Sequence, residues 1–217
     1  MHCAVGLALL YAAASTCAPT PANPHPHGPH GHRPGHGQGR GQPISTIVDL
    51  GYSRYQGFEV DGVNQWLGIR FAAPPTGDLR WRAPQDPPVN NSEVLPATGF
   101  GATCLGYWAS ELSDTVNEDC LYLDVFAPAN ATADSKLPVW FFIQGGGYAG
   151  DLDQNFNLTD AIVQSNYSMV FVQINYRVGA FGFLASEKIR SNGDLNAGLL
   201  DQRLYVNSQQ PRQGRLR

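Results

Sequence analysis

The sequence predicts an α/β fold, and three observations carry that expectation. Two runs, Val139–Ile143 (VWFFI) and Met169–Ile174 (MVFVQI), are continuously apolar apart from Gln173, as strands covered on both faces of a parallel sheet are. Between them, Leu158–Ser165 supplies a short crossover helix, so the segment reads β, loop, helix, β. Ahead of both, Cys120–Phe126 sets Leu121, Leu123 and Val125 against Tyr122, Asp124 and Phe126, an alternation that ends at Pro128.

Taken in order, the chain opens on Met1-His2 and a short apolar run, Cys3–Ala14, followed by small residues around Cys17. Residues 1–18 are expected to be a secretory signal cleaved after Ala18, which places the protein outside the cell. The run of about twelve apolar residues falls short of the roughly 20 that span a bilayer, so no membrane span is expected. Residues 19–43 form a Pro/Gly/His-rich spacer with almost no apolar content, and nothing there offsets the entropy of ordering it. Five of the six histidines lie in that spacer and the sixth is His2, so none follows His36. The spacer offers a metal no fixed geometry, and neither a metal nor an organic cofactor is expected. With 14 basic and 18 acidic residues the net charge is −4, which points to no nucleic acid and no anionic membrane surface.

From Ile44 the pattern turns to short strands: Ile44–Leu50, Phe58–Val60 and Gln65–Phe71, separated by Gly-containing turns. Removal of the signal takes Cys3 and Cys17 and leaves Cys104 and Cys120. An even pair in a secreted chain suggests one disulfide, which spacing alone does not fix. Four N-x-[ST] sequons, at Asn90, Asn130, Asn157 and Asn166, are expected surface glycosylation sites.

After the first apolar run comes Gly145-Gly146-Gly147-Tyr148-Ala149-Gly150, which satisfies G-x-G-x-x-G. A dinucleotide site needs those glycines to open a helix, and here a polar loop follows. It also needs an acidic residue for the ribose, and none occurs from Ala161 to Ser186. Consecutive glycines have another use: with no Cβ in the way, their N–H groups converge on a small anion. In acyl transfer that anion is the oxyanion of the tetrahedral intermediate.

Several ordered segments resemble the carboxylesterase type B family, the cholinesterase-like branch of the α/β-hydrolase fold. Leu67–Trp81 (LGIRFAAPPTGDLRW) is similar to its N-terminal signature. Asn117–Leu123 (NEDCLYL) is similar to its second, with Asp124 where Asn is usual. Ile143–Tyr148, Asn175–Leu184 and Gly198–Arg203 complete the set, and the IQGGGY form resembles fungal secreted members. The resemblance runs from about Val60 to Leu204. It implies a serine esterase acting on a small-molecule carboxylic ester, with Gly146 and Gly147 as two oxyanion-hole donors. It further implies a Cys104–Cys120 disulfide and two structural ion pairs, Arg80 with Glu118 and Arg177 with Asp201.

The same resemblance implies a Ser-acid-His triad in that chain order. No G-x-S-x-G occurs in the 217 residues, and no histidine lies in the part expected to fold. Residues 44–204 are therefore expected to be the N-terminal portion of a mostly parallel α/β-hydrolase sheet, truncated before the nucleophile elbow and inactive alone. Its last sheet edge is expected to be apolar and unpaired. Residues 205–217 are polar and basic without helical period and are expected to be an aberrant tail. The competing expectation is a non-catalytic, cholinesterase-like binding or adhesion module on the same fold.

Overall fold

A computed structural model describes residues 45–208, apart from 110, 133, 153 and 154. The expected signal 1–18, the spacer 19–43 and positions 209–217 of the expected tail lie outside the described residues. In chain order the strands are β1 Ile47–Asp49, β2 Ser53–Gln56, β3 Phe58–Val60, β4 Val63–Arg70, β5 Asn90–Pro96, β6 Thr103–Cys104, β7 Val116–Asn117, β8 Tyr122–Pro128, β9 Val139–Ile143 and β10 Val170–Ile174. The helices are α1 Thr159–Gln164, between β9 and β10, then α2 Gly179–Phe183, α3 Glu187–Asn192 and α4 Ala197–Ser208.

The main sheet runs β3-β4-β8-β10-β9, with a smaller sheet β1-β2-β5 and a two-stranded β6-β7. The α/β class stands, but the strand directions differ from a mostly parallel sheet. Three of the four pairings in the main sheet are antiparallel, and only β9 with β10 is parallel. The connections explain this. β3 and β4 are joined by a tight turn at Asp61-Gly62, which allows only an antiparallel pair, whereas α1 gives β9 and β10 the crossover that a parallel pair needs.

Both faces of this sheet are packed. One carries Trp66, Leu121, Val172, Ile174, Tyr176 and Val178; the other packs Val63, Leu67, Phe126 and Phe171 against Ile162 of α1. β10 is buried along its whole length. β9 corrects the expectation of a strand buried on both faces: it is the edge, paired on one side only, and Trp140 is 57% exposed. An apolar run reports a preference for burial, not whether a neighbour is present to satisfy it.

Helix α4 passes the expected boundary at Leu204 and runs to Ser208. Tyr205 lies four residues after Asp201, on the same helix face, and both are buried. Its ring stacks on Phe141 of β9 at 4.7 Å and meets Phe71 edge-on at 6.0 Å. Residue 205 thus belongs to the core rather than to a tail.

Candidate functional site

Because β9 and β10 are parallel, their C-terminal ends reach the same pole, where the loops that follow them meet. The glycine segment follows β9. Gly145 bridges Leu152, whose N–H donates to Gly145 O at 3.2 Å, and the Ala149 and Gly150 N–H groups both donate to Gly146 O, at 3.1 and 3.3 Å. From the β10 side, the Gly179 N–H donates to Tyr148 O at 2.7 Å. Gly146, Gly147 and Tyr148 all have positive φ (121°, 61° and 63°), and a Cβ on Gly146 would stand 1.9 Å from Gly150 O. Glycine is therefore obligatory at 146. Among the described residues neither the Gly146 nor the Gly147 N–H donates to any acceptor, and Gly147 is exposed. Two adjacent amide donors without partners, at an open pole of the sheet, suit a small anion.

The loop is held from behind by the segment around Cys104. The Tyr107 N–H donates to Ala149 O at 3.0 Å, and the Cys104 N–H donates to Asp151 Oδ2 at 2.7 Å. Asp151 is buried, its Oδ1 has no partner among the described residues, and burial raises its pKa to about 7 against the pull of the Cys104 N–H. Gln144 is buried too; its carbonyl accepts the Tyr176 hydroxyl at 3.2 Å, while neither atom of its side-chain amide has a partner among the described residues.

The remaining residues of interest surround this loop. Cys104 and Cys120 are joined by a disulfide. Arg80 and Glu118 form a two-pronged pair at 2.6 and 2.7 Å, with the guanidinium against the Trp81 and Phe181 rings. Asp201 accepts three bonds from Arg177, from its backbone N–H and from Nε and Nη2, and both side chains are almost fully buried. Of the sequon asparagines, Asn130, Asn157 and Asn166 are exposed and Asn90 is half-buried. Sequence reading missed a further two-pronged pair, Arg70 with Asp119, at 2.6 and 2.8 Å. It missed Asp151 as well, since nothing in a polar loop marks one carboxylate as buried. Among the described residues no group of three or more His, Cys, Asp or Glu could hold a metal, and no helix is long and apolar enough to cross a membrane.

Residues 44–207 match the profile of the Carboxylesterase family. The chain belongs to this family. Its relatives within the carboxylesterase family include secreted lipase 1 of Botryotinia fuckeliana (strain B05.10), 36% identical over 167 residues, covering 65% of this chain and 29% of the lipase. Chlorogenic acid esterase of Aspergillus niger is 38% identical over 177 residues, covering 74% of this chain and 34% of the esterase. Among solved structures, Aspergillus niger EstA superposes with a TM-score of 0.72 at 55% identity, over 75% of this chain and 32% of EstA. The chain thus spans about a third of the length of these carboxylesterase relatives.

Proposed function

We propose that Gly146 and Gly147 form the oxyanion-binding part of a secreted carboxylic-ester hydrolase. The observation that carries this reading is the pair of unpartnered N–H groups at the sheet pole, on a loop that glycine alone can form. As an ester carbonyl becomes tetrahedral its oxygen gains charge, and each donor aimed at it contributes about 3 kcal/mol. Acyl transfer of this kind needs a serine activated by a base. The 217 residues hold no G-x-S-x-G and no histidine beyond residue 36, so nucleophile and base are supplied from outside this sequence. The substrate is a small-molecule carboxylic ester, and the chemistry calls for no metal or organic cofactor. Export to an oxidising compartment suits the Cys104–Cys120 bond and the exposed sequons, and the name of the Botryotinia relative agrees with it.

Two measurements test the reading. The purified chain is expected neither to hydrolyse p-nitrophenyl acetate above a buffer blank nor to bind a serine-directed organophosphonate covalently; stoichiometric labelling would show a nucleophile that the sequence reading denies. In a 15N-labelled sample, methylphosphonate, a stand-in for the tetrahedral oxyanion, is expected to shift the Gly146 and Gly147 amides first. Shifts elsewhere with these two unmoved would remove the oxyanion assignment.

A further inference from the structure

Asp151 lies inside the turn that Gly145 and Leu152 close, and takes no part in the oxyanion chemistry as described so far. Its neighbours in sequence both lie against the cradle. The Gly150 N–H donates to Gly146 O at 3.3 Å, and the Leu152 N–H donates to Gly145 O at 3.2 Å. A Cβ on Gly146 would meet Gly150 O at 1.9 Å and Leu152 N at 3.4 Å, so the backbone on either side of Asp151 touches one of the two donor residues. On its far side the carboxyl reaches the disulfide segment, where Oδ2 accepts the Cys104 N–H at 2.7 Å. Backbone meets backbone here. A Cβ on Gly106 would stand 2.7 Å from Gly150 Cα and 3.4 Å from Asp151 N, and the Trp108 ring lies 2.0 Å from where a Cβ on Gly150 would be.

A carboxyl in such a place fits differently in its two protonation states. Asp151 is 3% exposed, and its Oδ1 has no partner among the described residues. Nor does any cation among them pair with it. Tyr107, Glu111 and Asp114 in the disulfide-closed segment, and Tyr148 on the loop, are exposed. Glu118 and Asp119 are engaged by Arg80 and Arg70. After β10 come Tyr176, whose pKa is raised by burial and then by the Asp151 charge, and Arg177, held by Asp201 and Arg82 O. Asp153 lies outside the described residues. With its proton Asp151 is neutral and suits its burial on Cys104; without it, an uncompensated charge is left inside the loop. Burial raises its pKa to about 7, so the proton's contribution to the folded loop is full below about pH 4 and is lost as pH climbs through about 7. An ionised carboxylate beside the cradle also repels a second anion. Both effects have the same sign. We propose that Asp151 is a positioning residue whose proton binds cooperatively with the anion at the Gly146 and Gly147 N–H groups, the protonated carboxyl holding the loop in its oxyanion-binding form. This rests on the oxyanion reading and adds a proton-linked control to it.

The test uses the 15N,13C-labelled chain and methanesulfonate, a tetrahedral anion whose charge stays constant over the range. Binding read from the Gly146 and Gly147 amides is expected to be at least about five-fold tighter at about pH 5.5 than at about pH 8.5. Asp151→Asn, neutral throughout and still able to accept the Cys104 N–H, is expected to bind alike at both, as tightly as the wild type at the lower pH. Asp153→Asn is expected to keep the wild-type dependence, and amide dispersion verifies the fold of both variants. Linkage is reciprocal and is also read without a variant. Saturating methanesulfonate is expected to raise the midpoint of the Asp151 carboxyl 13C titration by about 0.7 pH unit or more, which a merely structural carboxyl does not show. Equal wild-type affinity at the two pH values, a dependence that survives Asp151→Asn, or an unmoved midpoint overturns the coupling. The two readings fail separately. Gly146 and Gly147 amides that respond alike at both pH values keep the oxyanion assignment and defeat the role of Asp151. Amides unmoved by methanesulfonate at every pH defeat the oxyanion assignment. The hold of Asp151 on the loop then stands if the anion-free Gly146 and Gly147 amides titrate near pH 7 and Asp151→Asn abolishes this, and falls otherwise.

Discussion

Asp124→Asn is the substitution whose effect can be worked out most fully. Asp124 lies on β8 and is buried between the β4 bulge and β10. Its Oδ1 accepts the Gly68 N–H at 2.8 Å and its Oδ2 accepts from Gln173 Nε2 at 3.0 Å. Among the described residues no cation pairs with it, and burial lifts its pKa from 3.8 to about 6, against those two hydrogen bonds. A carboxyl whose pKa is raised by folding binds its proton more tightly in the native state. Its contribution is fully present below about pH 4 and is lost as pH climbs through about 6. The gap between 3.8 and about 6, at about 1.36 kcal/mol per pH unit, comes to about 3 kcal/mol. Asparagine carries no such dependence, but its amide faces Gln173 Nε2 and loses one hydrogen bond, about 1 kcal/mol at every pH. The variant is therefore expected to be about 1 kcal/mol less stable than the wild type at pH 4 and about 2 kcal/mol more stable at pH 7. Urea unfolding followed by tryptophan fluorescence, at unit steps from pH 4 to 8 and constant ionic strength, measures the difference. A difference that stays flat across this range would refute the reasoning, whatever its size.

Three other outcomes are expected. Asp201→Ala removes both carboxylate oxygens, and with them three of the four hydrogen bonds of Arg177, and leaves a buried guanidinium with Arg82 O as its remaining partner, at a cost of about 3–5 kcal/mol in urea unfolding. Replacing both partners, Arg177→Met with Asp201→Leu, is expected to recover most of that, and a single-variant loss under about 1 kcal/mol would count against the pair. Tyr205→Ala deletes a buried ring held between Phe141 and Phe71 and is expected to cost about 3 kcal/mol by the same assay; a near-neutral result would return residue 205 to an unstructured tail. Peptide mapping of secreted material without reductant is expected to recover one cross-linked species containing Cys104 and Cys120, and two free thiols would contradict the bridge.

Legibility in the sequence followed the range of the interactions involved. Phe58–Val60 was placed to the residue, and β8, β10 and α1 to within two, because their signals are local: alternation, an apolar run, a breaker. β2 and β5 escaped notice, since Ser53–Gln56 and Asn90–Pro96 are polar and become strands by pairing with each other across more than thirty residues. Tyr205 was misplaced because a tyrosine in polar surroundings looks solvent-facing, and only the ring of Phe141 shows otherwise. The glycine loop was legible as a special backbone segment, since three successive glycines exceed what a turn needs. Its support was not: Asp151 and Trp108 act across 47 and 42 residues, on Cys104 and Gly150, and no periodicity carries that information.

Mixed strand direction has a direct consequence for where chemistry can occur. Four strands in succession, β3, β4, β8 and β10, alternate in direction, so their connections are shared between both poles of the sheet. Within the main sheet, the parallel step from β10 to β9 is the place where two neighbouring strands end together, and it brings the loops at 144–152 and 175–179 into contact through Gly179 and Tyr148. Backbone groups of the β9 loop are then fixed from the β10 side and from the disulfide side, leaving the Gly146 and Gly147 amides, with those of Gly145 and Tyr148, without an acceptor among the described residues. A loop on an antiparallel hairpin would bond its N–H groups across its own two strands. Here the parallel step and the three glycines together keep donors free at a rigid position, which is what stabilisation of a transient oxyanion requires.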